Sequence, residues 1–329
     1  MPTLALEDAR RMLVDAMTAV GHSAADASVI ADHLMDCELR GLSYAGLARA
    51  VSIAERIRAT APPEPVRVLV DTPTSATLDG GDQVGYLVAA RAVDLGLEKA
   101  RAHGVATVGA RRTWYTGMFS YYLEQITGAG FVGLIAGSGP AMVAPHGGTE
   151  ARYATNPIAV GFPTSDDPVI WDIGTSSITH AEVVLAARLD TELPPGRAFD
   201  ESGTPTVDAH AALRGAFTSW GGHKGSGLAL VVQLLGMLTG ASASPAGLSD
   251  CGFLAMVIDP AALTDAEDFR QRASDLARSV RDTRPVTGGN AVRVPFDRSR
   301  RRREETRRRG TIDVPTPVLN VLRDFTLAK

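Results

Sequence analysis

Cysteine is scarce in this sequence, and no stretch is continuously apolar over the length of a membrane helix. Cys37 and Cys251 are too few for a disulfide framework and too far apart for a CxxC metal site. A membrane helix needs about 18 consecutive apolar residues, and the richest run, Leu228–Leu238, is shorter. The acidic, amphipathic start MPTLALEDARRML lacks the apolar core of a signal peptide. We therefore expect reduced thiols, a cytoplasmic location and no membrane partner.

Metal and nucleic acid also lack support in the sequence. The seven histidines form no HExxH motif and no spaced set with the cysteines, so no metal site is expected. Aromatic residues make up only 5% of the chain and its net charge is −4, which argues against a nucleic-acid partner. Eight arginines lie between Arg298 and Arg309. Such a run is typical of a solvated helix face, and the alternative is a clamp for a ligand phosphate.

What the sequence does contain is an alternation of strand and helix patterns. With 329 residues, 45% of them hydrophobic, the chain can build a large core in one or two domains. The first 40 residues show helical periodicity, and the breaker cluster Ala61–Pro65 follows them. Beyond it, short apolar runs alternate with helical segments, which predicts the α/β class. The predicted strands are Val66–Val70, Val105–Val108, Val132–Ala136, Ile158–Phe162, Val169–Trp171 and Phe253–Ile258.

Two groups of glycine, hydroxyl and carboxylate residues could hold a ligand. The sequence has no GxGxxG after a strand, so the ordinary dinucleotide fingerprint is missing. The segment 222–227, GHKGSG, resembles a phosphate loop without its spacing; it could place a phosphate at a helix start beside Lys224, or simply form a tight turn. Thr155-Asn156 and Asp172–Ser176 flank strands and could bind a ligand amide or ribose, or merely cap turns.

Several short segments together carry a resemblance to a known family. They resemble, in this order along the chain, the non-Rossmann malate/L-lactate dehydrogenase family, whose relatives include ureidoglycolate, sulfolactate and diketogulonate oxidoreductases and Δ1-piperideine-2-carboxylate reductases. TNPIA and GGHKG are specific in combination. The resemblance covers nearly the whole chain. The segments are 40–49, 144–148, 155–159 (TNPIA), 172–176 (DIGTS), 193–196, 203–206 and 221–225 (GGHKG).

The resemblance implies a homodimer with an NAD(P)-binding α/β domain over residues 66–250. It also implies a helical domain in which residues 1–65 are joined by 251–329. Substrate contacts are implied at Arg49, Asn156 and Thr155, where the arginine could pair with a carboxylate. The cofactor, NADH or NADPH, is implied to contact Ser138, Asp172, Gly174, Thr175, Ser176, His223, Lys224, Gly225, Phe296, Asp297 and Arg298.

The chain departs from the family pattern at two histidines. The family's first motif reads Gly-x-x-Ser-His-Gly-x-x-Arg, and the gapless match over 41–49 puts Tyr44 at the serine and Ala45 at the histidine. In the second motif, Asn-Ser-x-His-x-Gly, Tyr115 takes the place of the histidine. Histidine titrates near neutral pH and suits proton transfer, whereas tyrosine donates well and is a poor base. His180, four residues after Ser176, is a candidate substitute acid, with a surface role as the alternative.

These departures favour a particular substrate. Reduction of a ketone creates an alkoxide that needs a proton, whereas a protonated cyclic imine yields a neutral amine. We therefore predict an NAD(P)H-dependent reductase of a cyclic imine-2-carboxylate or 2-oxo acid, with Tyr44 or Tyr115 orienting the substrate. Arginines near Arg298–Arg303 would favour NADP if they face the adenine ribose. The alternatives are a repurposed member that binds a cofactor or metabolite without turnover, and a biosynthetic enzyme that uses nicotinamide differently.

Overall fold

A computed structural model describes residues 1–327, so the last two residues of the expected C-terminal range 251–329 lie outside the described part. No helix within residues 1–327 is both long and apolar enough to cross a membrane. The strands are β1 (Thr3–Ala5), β2 (Arg67–Asp71), β3 (Ser75–Val84), β4 (Val105–Trp114), β5 (Val132–Gly137), β6 (Ile158–Phe162), β7 (Val169–Ile173), β8 (Ala198–Phe199), β9 (Pro205–Thr206), β10 (Ala216–Phe217), β11 (Cys251–Ile258) and β12 (Thr311–Asp313). The helices are α1 (Leu6–Ala19), α2 (Ala24–Leu39), α3 (Leu47–Ala59), α4 (Gly85–His103), α5 (Phe119–Gly128), α6 (His180–Arg188), α7 (Ala209–Arg214), α8 (His223–Leu238), α9 (Ala266–Arg281), α10 (Asp297–Arg309) and α11 (Thr316–Leu327).

A helical layer joins the two ends of the chain. The short strands β1 and β12 pair antiparallel, so that Leu4 lies opposite Ile312. Helices α1, α2, α3 and α11 then bury their apolar faces against one another. Ser23 caps the start of α2 by accepting a hydrogen bond from the backbone of Asp26 at 3.1 Å, as such N-cap serines do. The shared core of this layer contains Leu13, Met17, Ile30, Leu34, Val51 and Leu322.

The largest sheet has seven strands in the order β2-β3-β4-β11-β5-β6-β7. Only β3 and β4 pair in parallel, and the other neighbours are antiparallel. The predicted α/β class is confirmed, and each of the six predicted strands is present. The prediction missed β3, whose sequence SATLDGGDQV is interrupted by two glycines where the register with β4 shifts.

The domain boundary predicted at residue 251 coincides with the start of a sheet strand. The strand β11 begins there and lies at the centre of the sheet, paired with β4 on one side and β5 on the other. It is almost entirely buried and apolar, as a central strand must be. The sheet therefore contains a strand from the range that the resemblance assigned to the helical domain, and the domain division stays a prediction.

Helices cover both faces of the sheet. In β5 the side chains of Ile135 and Ala136 point to opposite faces because strand side chains alternate. Ile135 belongs to the core shared with α4 and α5, whereas Ala136 packs with Val232 of α8. Helix α8 therefore lies on the second face, against β5 and β11, and its Val232 packs in one cluster with Ile158 of β6 and Ile173 of β7. This arrangement leaves a cavity between the strand ends and the helical layer.

Candidate active site

A cavity of about 550 Å³ opens between the sheet and the helical layer. The loop before α3, the segment 115–118, the ends of β5 and β7, the start of α6 and the segment before α10 all contribute to its wall. Ten of the residues predicted from sequence line it: Tyr44, Arg49, Tyr115, Ser138, Thr155, Asn156, Asp172, Gly174, Ser176 and Phe296. Segments far apart in sequence thus meet at one place.

The other predicted residues lie beside the cavity and not on its wall. Thr175 is fully buried, and its backbone N–H and hydroxyl both donate to the carbonyl of Thr155, at 3.0 and 3.1 Å. Its own carbonyl accepts from the backbone of Trp220 at 2.8 Å, which draws the GGHKG turn toward the DIGTS segment. Thr175 therefore braces two predicted segments against each other.

The remaining predicted cofactor residues are mostly exposed or already paired. His223 and Lys224 are exposed on the first turn of α8, and Gly225 is buried beneath the carbonyl of Trp220. Arg298 is exposed on α10. The carboxylate of Asp297 accepts from two nitrogens of Arg281, at 2.8 and 2.9 Å. The structure thus brings the α8 turn near the cavity through its backbone, while these five residues do not face into it.

Four residues that line the cavity each carry a buried polar atom without a hydrogen-bond partner. These atoms are Nη1 of Arg49, Oγ of Ser138, Oδ1 of Asn156 and Oγ of Ser176. A buried polar group without a partner costs about 1–3 kcal/mol, and more if it is charged, so such groups are rare in folded proteins. Their concentration in one cavity indicates a site built to hold a polar ligand.

Arg49 is positioned by its helix and by an aromatic ring. It lies in the first turn of α3 and is buried, with its guanidinium carbon 4.0 Å from the centre of the Tyr115 ring. Stacking on a ring leaves the edge of a guanidinium free for in-plane hydrogen bonds. Because Nη1 has no partner, the arginine can offer this edge to a carboxylate.

Glu38 fixes the start of the helix that carries Arg49. Its carboxylate accepts a hydrogen bond from the backbone of Leu47 at 2.7 Å, and a Cβ at Gly46 would collide with it. Burial raises the pKa of Glu38 to about 7, although the bond from Leu47 opposes this shift. Glycine is therefore needed at 46 because the glutamate side chain fills the space beside it.

The side chain of Asn156 has a fixed orientation. Its Nδ2 donates to the carbonyl of Ala229 at 2.8 Å and to Oε1 of Gln233 at 2.9 Å. Gln233 is oriented in turn because its own nitrogen donates to the carbonyl of Ala243 at 2.8 Å. The backbone of Asn156 has φ of 38°, a left-handed conformation that its surroundings must hold. This network leaves Oδ1 of Asn156 as a buried acceptor without a hydrogen-bond partner.

The segment that carries Tyr115 is held from behind by a buried histidine. Tyr115 has φ of 51°, and the backbone of Met118 donates to Nε2 of His33 at 2.8 Å. Burial, with help from Arg40, lowers the pKa of His33 to about 3, so the ring is neutral and can accept this bond. His33 therefore acts as a rigid support for the cavity wall.

His180 faces the same cavity. Thr179 and Glu182 form a capping box that places it at the first position of α6, and its ring centre lies 6.4 Å from that of Tyr115. Burial, with a smaller contribution from the positive charge of Arg49, lowers the pKa of His180 to about 3. Of the two roles that the sequence left open for His180, surface or site, the structure favours the site.

Comparison with known proteins identifies the family. A family model described as malate/L-lactate dehydrogenase matches residues 4–323. The chain belongs to the malate/L-lactate dehydrogenase family. It is 31% identical over 306 residues to the NAD(+) ureidoglycolate dehydrogenase of Escherichia coli, covering 88% of this chain and 86% of that protein.

Two further comparisons agree with this family assignment. It is 37% identical over 231 residues to a Δ1-pyrroline-2-carboxylate/Δ1-piperideine-2-carboxylate reductase of Pseudomonas aeruginosa, covering 65% of this chain and 66% of that protein. A crystal structure of a dehydrogenase from Sinorhizobium meliloti superposes with a TM-score of 0.91 at 28% identity, over 99% of this chain and 98% of that one. The relatives are thus oxidoreductases, and the resemblance seen in the sequence is confirmed.

In this member of the malate/L-lactate dehydrogenase family, Tyr44 stays protonated. Burial raises its pKa, and the negative charges of Glu182 and Asp172 raise it further. Its hydroxyl can therefore donate a hydrogen bond but cannot serve as a base near neutral pH. The carboxylate of Asp172 is itself occupied, since it accepts from the backbone of Ser120 at 2.7 Å at the start of α5. Sequence reasoning missed this capping role because Ser120 is remote from Asp172 in sequence.

The cavity wall fits a nicotinamide cofactor in its donor set. Ser138 and Ser176, whose hydroxyls have no partner, line the wall with Gly174. A Cβ added at Gly174 would meet nothing closer than 3.5 Å. The ring of Phe296 contributes an apolar surface to the same wall. Hydroxyls and open backbone suit an amide or ribose, and the ring suits a flat heterocycle. Arg49, which the resemblance assigns to the substrate, lines the same cavity.

Proposed function

We propose that this chain is an NAD(P)H-dependent reductase of a small carboxylate that bears a C=N or C=O group, with a cyclic imine-2-carboxylate as the preferred substrate. The observation that carries this proposal is the unpartnered Nη1 of Arg49, buried in a cavity beside Tyr115 and His180. A substrate carboxylate would satisfy this atom and neutralise its charge. The bound nicotinamide supplies the hydride, and the chain supplies orientation and proton handling.

The preference for an imine rests on whether the groups around the substrate donate or accept hydrogen bonds. The free atom of Asn156 is an acceptor, which matches the N–H of a protonated imine and not the oxygen of a ketone. A cyclic iminium needs no strong acid, because hydride addition gives a neutral amine directly. Tyr44 and Tyr115 would orient the ring of the substrate. Thr155, which precedes Asn156 on the same wall, would contribute to substrate binding.

His180 is the proposed group whose protonation responds to the substrate. The positive charge of Arg49 contributes to the low pKa of His180. A substrate carboxylate on Arg49 would offset this charge, so the pKa of His180 should rise when substrate binds. In the reduction of a 2-oxo acid, His180 could then donate the proton that the alkoxide needs. We assign this role to His180 in preference to Tyr115.

Cofactor contacts divide into a near set and a remote set. Ser138, Asp172, Gly174, Ser176 and Phe296 lie on the wall, where the nicotinamide half would bind, and Thr175 braces them. We propose the remaining predicted residues for the adenine half: His223, Lys224, Gly225, Asp297 and Arg298. A preference for NADP would require Arg298 or its exposed neighbours to meet the 2′-phosphate.

The proposed homodimer has a candidate interface on α8. Leu230, Leu234 and Leu238 share one face of this helix at four-residue spacing and are 46%, 52% and 74% exposed. Contiguous exposed apolar surface of this kind marks an interaction site. A Leu234→Lys variant should sediment as a monomer at concentrations where the unmodified chain is a dimer. Leu263→Lys, at an exposed leucine outside this face, is the control; a dimer that survives Leu234→Lys would contradict this interface.

Oxidation of NADH and NADPH with two substrate series tests the function. We expect turnover of cyclic imine-2-carboxylates to exceed that of 2-oxo acids of the same carbon number, and esters of either to be poor substrates because they cannot pair with Arg49. Cofactor binding without turnover of any substrate would favour a repurposed family member. If neither cofactor binds or shifts the melting temperature, the oxidoreductase assignment fails.

A further inference from the structure

A second cavity of about 310 Å³ lies next to the first. Four residues, Pro140, Met142, His180 and Leu248, line both cavities, so these side chains border the two spaces. The walls of the second cavity beyond this border come from α7, from Phe217 and from the segment 244–248. The site beside Arg49 therefore has a neighbouring space that the function described above does not use.

The side chains that line the second cavity are mostly apolar. Among the residues that line it, only Ser244 and His180 have polar side chains, and none is an arginine, lysine, aspartate or glutamate. Ala141, Ala212, Leu213, Phe217 and Pro245 supply most of the remaining surface. A charged group would find no side-chain counterion there, whereas a hydrocarbon group would be buried against these apolar side chains.

The second cavity is preformed and not merely a gap between loops. The carbonyl of Leu248 accepts two hydrogen bonds from Arg56, at 2.9 and 2.6 Å, and Arg56 is held by Asp82 at 2.8 Å. On the opposite wall, the backbone of Phe217 donates to the carbonyl of Met142 at 2.8 Å. Both walls are therefore fixed before any ligand binds, which reduces the entropy lost on binding.

We propose that the second cavity receives an apolar substituent of the substrate, so that the substrate carries its carboxylate at Arg49 and a hydrocarbon group of several carbons beyond His180. This inference rests on the proposed function, and it narrows the substrate class from small carboxylates to those with an apolar side chain or fused ring. His180 then lies between the polar and the apolar parts of the bound molecule.

A chain-length series tests the proposal directly. We expect kcat/KM for unbranched 2-oxo acids to rise about threefold to fourfold for each methylene from pyruvate to 2-oxooctanoate, as hydrocarbon burial predicts. Ala141→Leu should remove most of this gain and leave pyruvate turnover unchanged, because Ala141 lines only the second cavity. Ala246→Leu is the matched control, since Ala246 is exposed and lines neither cavity.

Two results would overturn the proposal: a flat chain-length series, or an equal gain in Ala141→Leu and the unmodified chain. Saturated carboxylates from acetate to octanoate provide a readout that does not depend on turnover. If every substrate is inert, the proposed function fails, while a rise in melting temperature with chain length that Ala141→Leu abolishes would still support the cavity. No dependence of melting temperature on chain length would reject it on its own.

Discussion

The two ends of the candidate site contrast in how their cationic groups are held. Arg49, at the substrate end, is buried, stacked on Tyr115 and left with an unpartnered nitrogen. On α10, the arginines that point inward form ion pairs with carboxylates. Arg298, proposed to contact the cofactor, is exposed. Arginine content alone therefore does not locate a ligand site, because the arginines of α10 are mostly exposed or paired with carboxylates.

The largest difference should appear in stability. Arg303 pairs with Asp36 at 3.2 Å and with Glu124 at 2.6 Å, and the buried Arg40 joins the same two carboxylates. Arg303→Met would leave buried carboxylate charge uncompensated, so we expect a loss of about 3 kcal/mol in the free energy of unfolding. Urea denaturation measures this loss. Arg308→Met, on the exposed part of the same helix, should change stability by less than about 0.5 kcal/mol, and similar losses in both variants would remove the contrast.

The next largest effect should be on substrate use. Arg49→Met removes the proposed carboxylate partner, and charged hydrogen bonds of this kind correspond to a loss of about 100-fold in kcat/KM. Steady-state oxidation of NADPH with a cyclic imine-2-carboxylate measures it. Arg58→Met is the matched control, because Arg58 lies on the same helix and stacks on Phe325 at 4.2 Å outside the cavity. A normal kcat/KM in Arg49→Met would contradict the proposal that Arg49 binds the substrate carboxylate.

The buried histidines predict a pH effect of intermediate size. His33 has a folded-state pKa of about 3, while the unfolded chain binds its proton below about pH 6.5. The stability that neutral His33 provides is therefore present above pH 6.5 and is lost as the pH falls toward 3, by about 1.4 kcal/mol per unit. The destabilisation caused by His33→Gln should accordingly be about 2 kcal/mol smaller at pH 5 than at pH 7.5.

Measuring wild type and variant at each pH cancels the opposite contribution of Glu38. Because the folded-state pKa of that carboxyl is raised to about 7, its effect on stability runs the other way as the pH falls from 7 to 4.5. His103→Gln, at an exposed position on the last turn of α4, serves as the control. A destabilisation by His33→Gln that is equal at both pH values would contradict the neutral, bond-accepting state of His33.

The smallest effect should come from the exposed cation of α8. Lys224→Ala should weaken NADPH binding about fivefold at low salt, because an exposed charge contributes about 1 kcal/mol to binding a phosphate. The difference should shrink at 1 M salt, where screening acts over about 3 Å. Titration calorimetry at both salt concentrations measures it. A loss of NADPH affinity of about 100-fold, or one that does not depend on salt, would contradict the contrast between the exposed Lys224 and the buried Arg49.

Much of the fold followed from local pattern, and the parts that did not follow depend on long-range pairing. Apolar runs such as Ile158–Phe162 predicted their strands because a buried strand needs no partner information to be apolar. The strand β3 was not predicted because its glycines interrupt the apolar pattern. They lie at a register shift that is visible only in the pairing with β4. The central position of β11 was likewise invisible, since its neighbours are set by topology.

The candidate site was predictable where motifs carried the resemblance, and less so where geometry decides. The TNPIA and DIGTS segments pointed to Asn156 and Ser176, which line the cavity. His180 could not be ranked from sequence, because its exposure depends on how the capping box of Thr179 and Glu182 orients α6. The pairing of Arg281 with Asp297 was also beyond sequence reasoning, and it leaves that carboxylate with a structural partner.

The place of β11 has a consequence for how the protein reaches its native state. The strands β4 and β5 have no contact as sheet neighbours until residues 251–258 enter between them. A ribosome-bound chain that stops short of this strand therefore holds two half-sheets with open edges, which are prone to pair with other chains. The sheet can be completed only after residues 251–258 have been synthesised. We therefore expect the risk of aggregation during synthesis to fall once this strand has paired with β4 and β5.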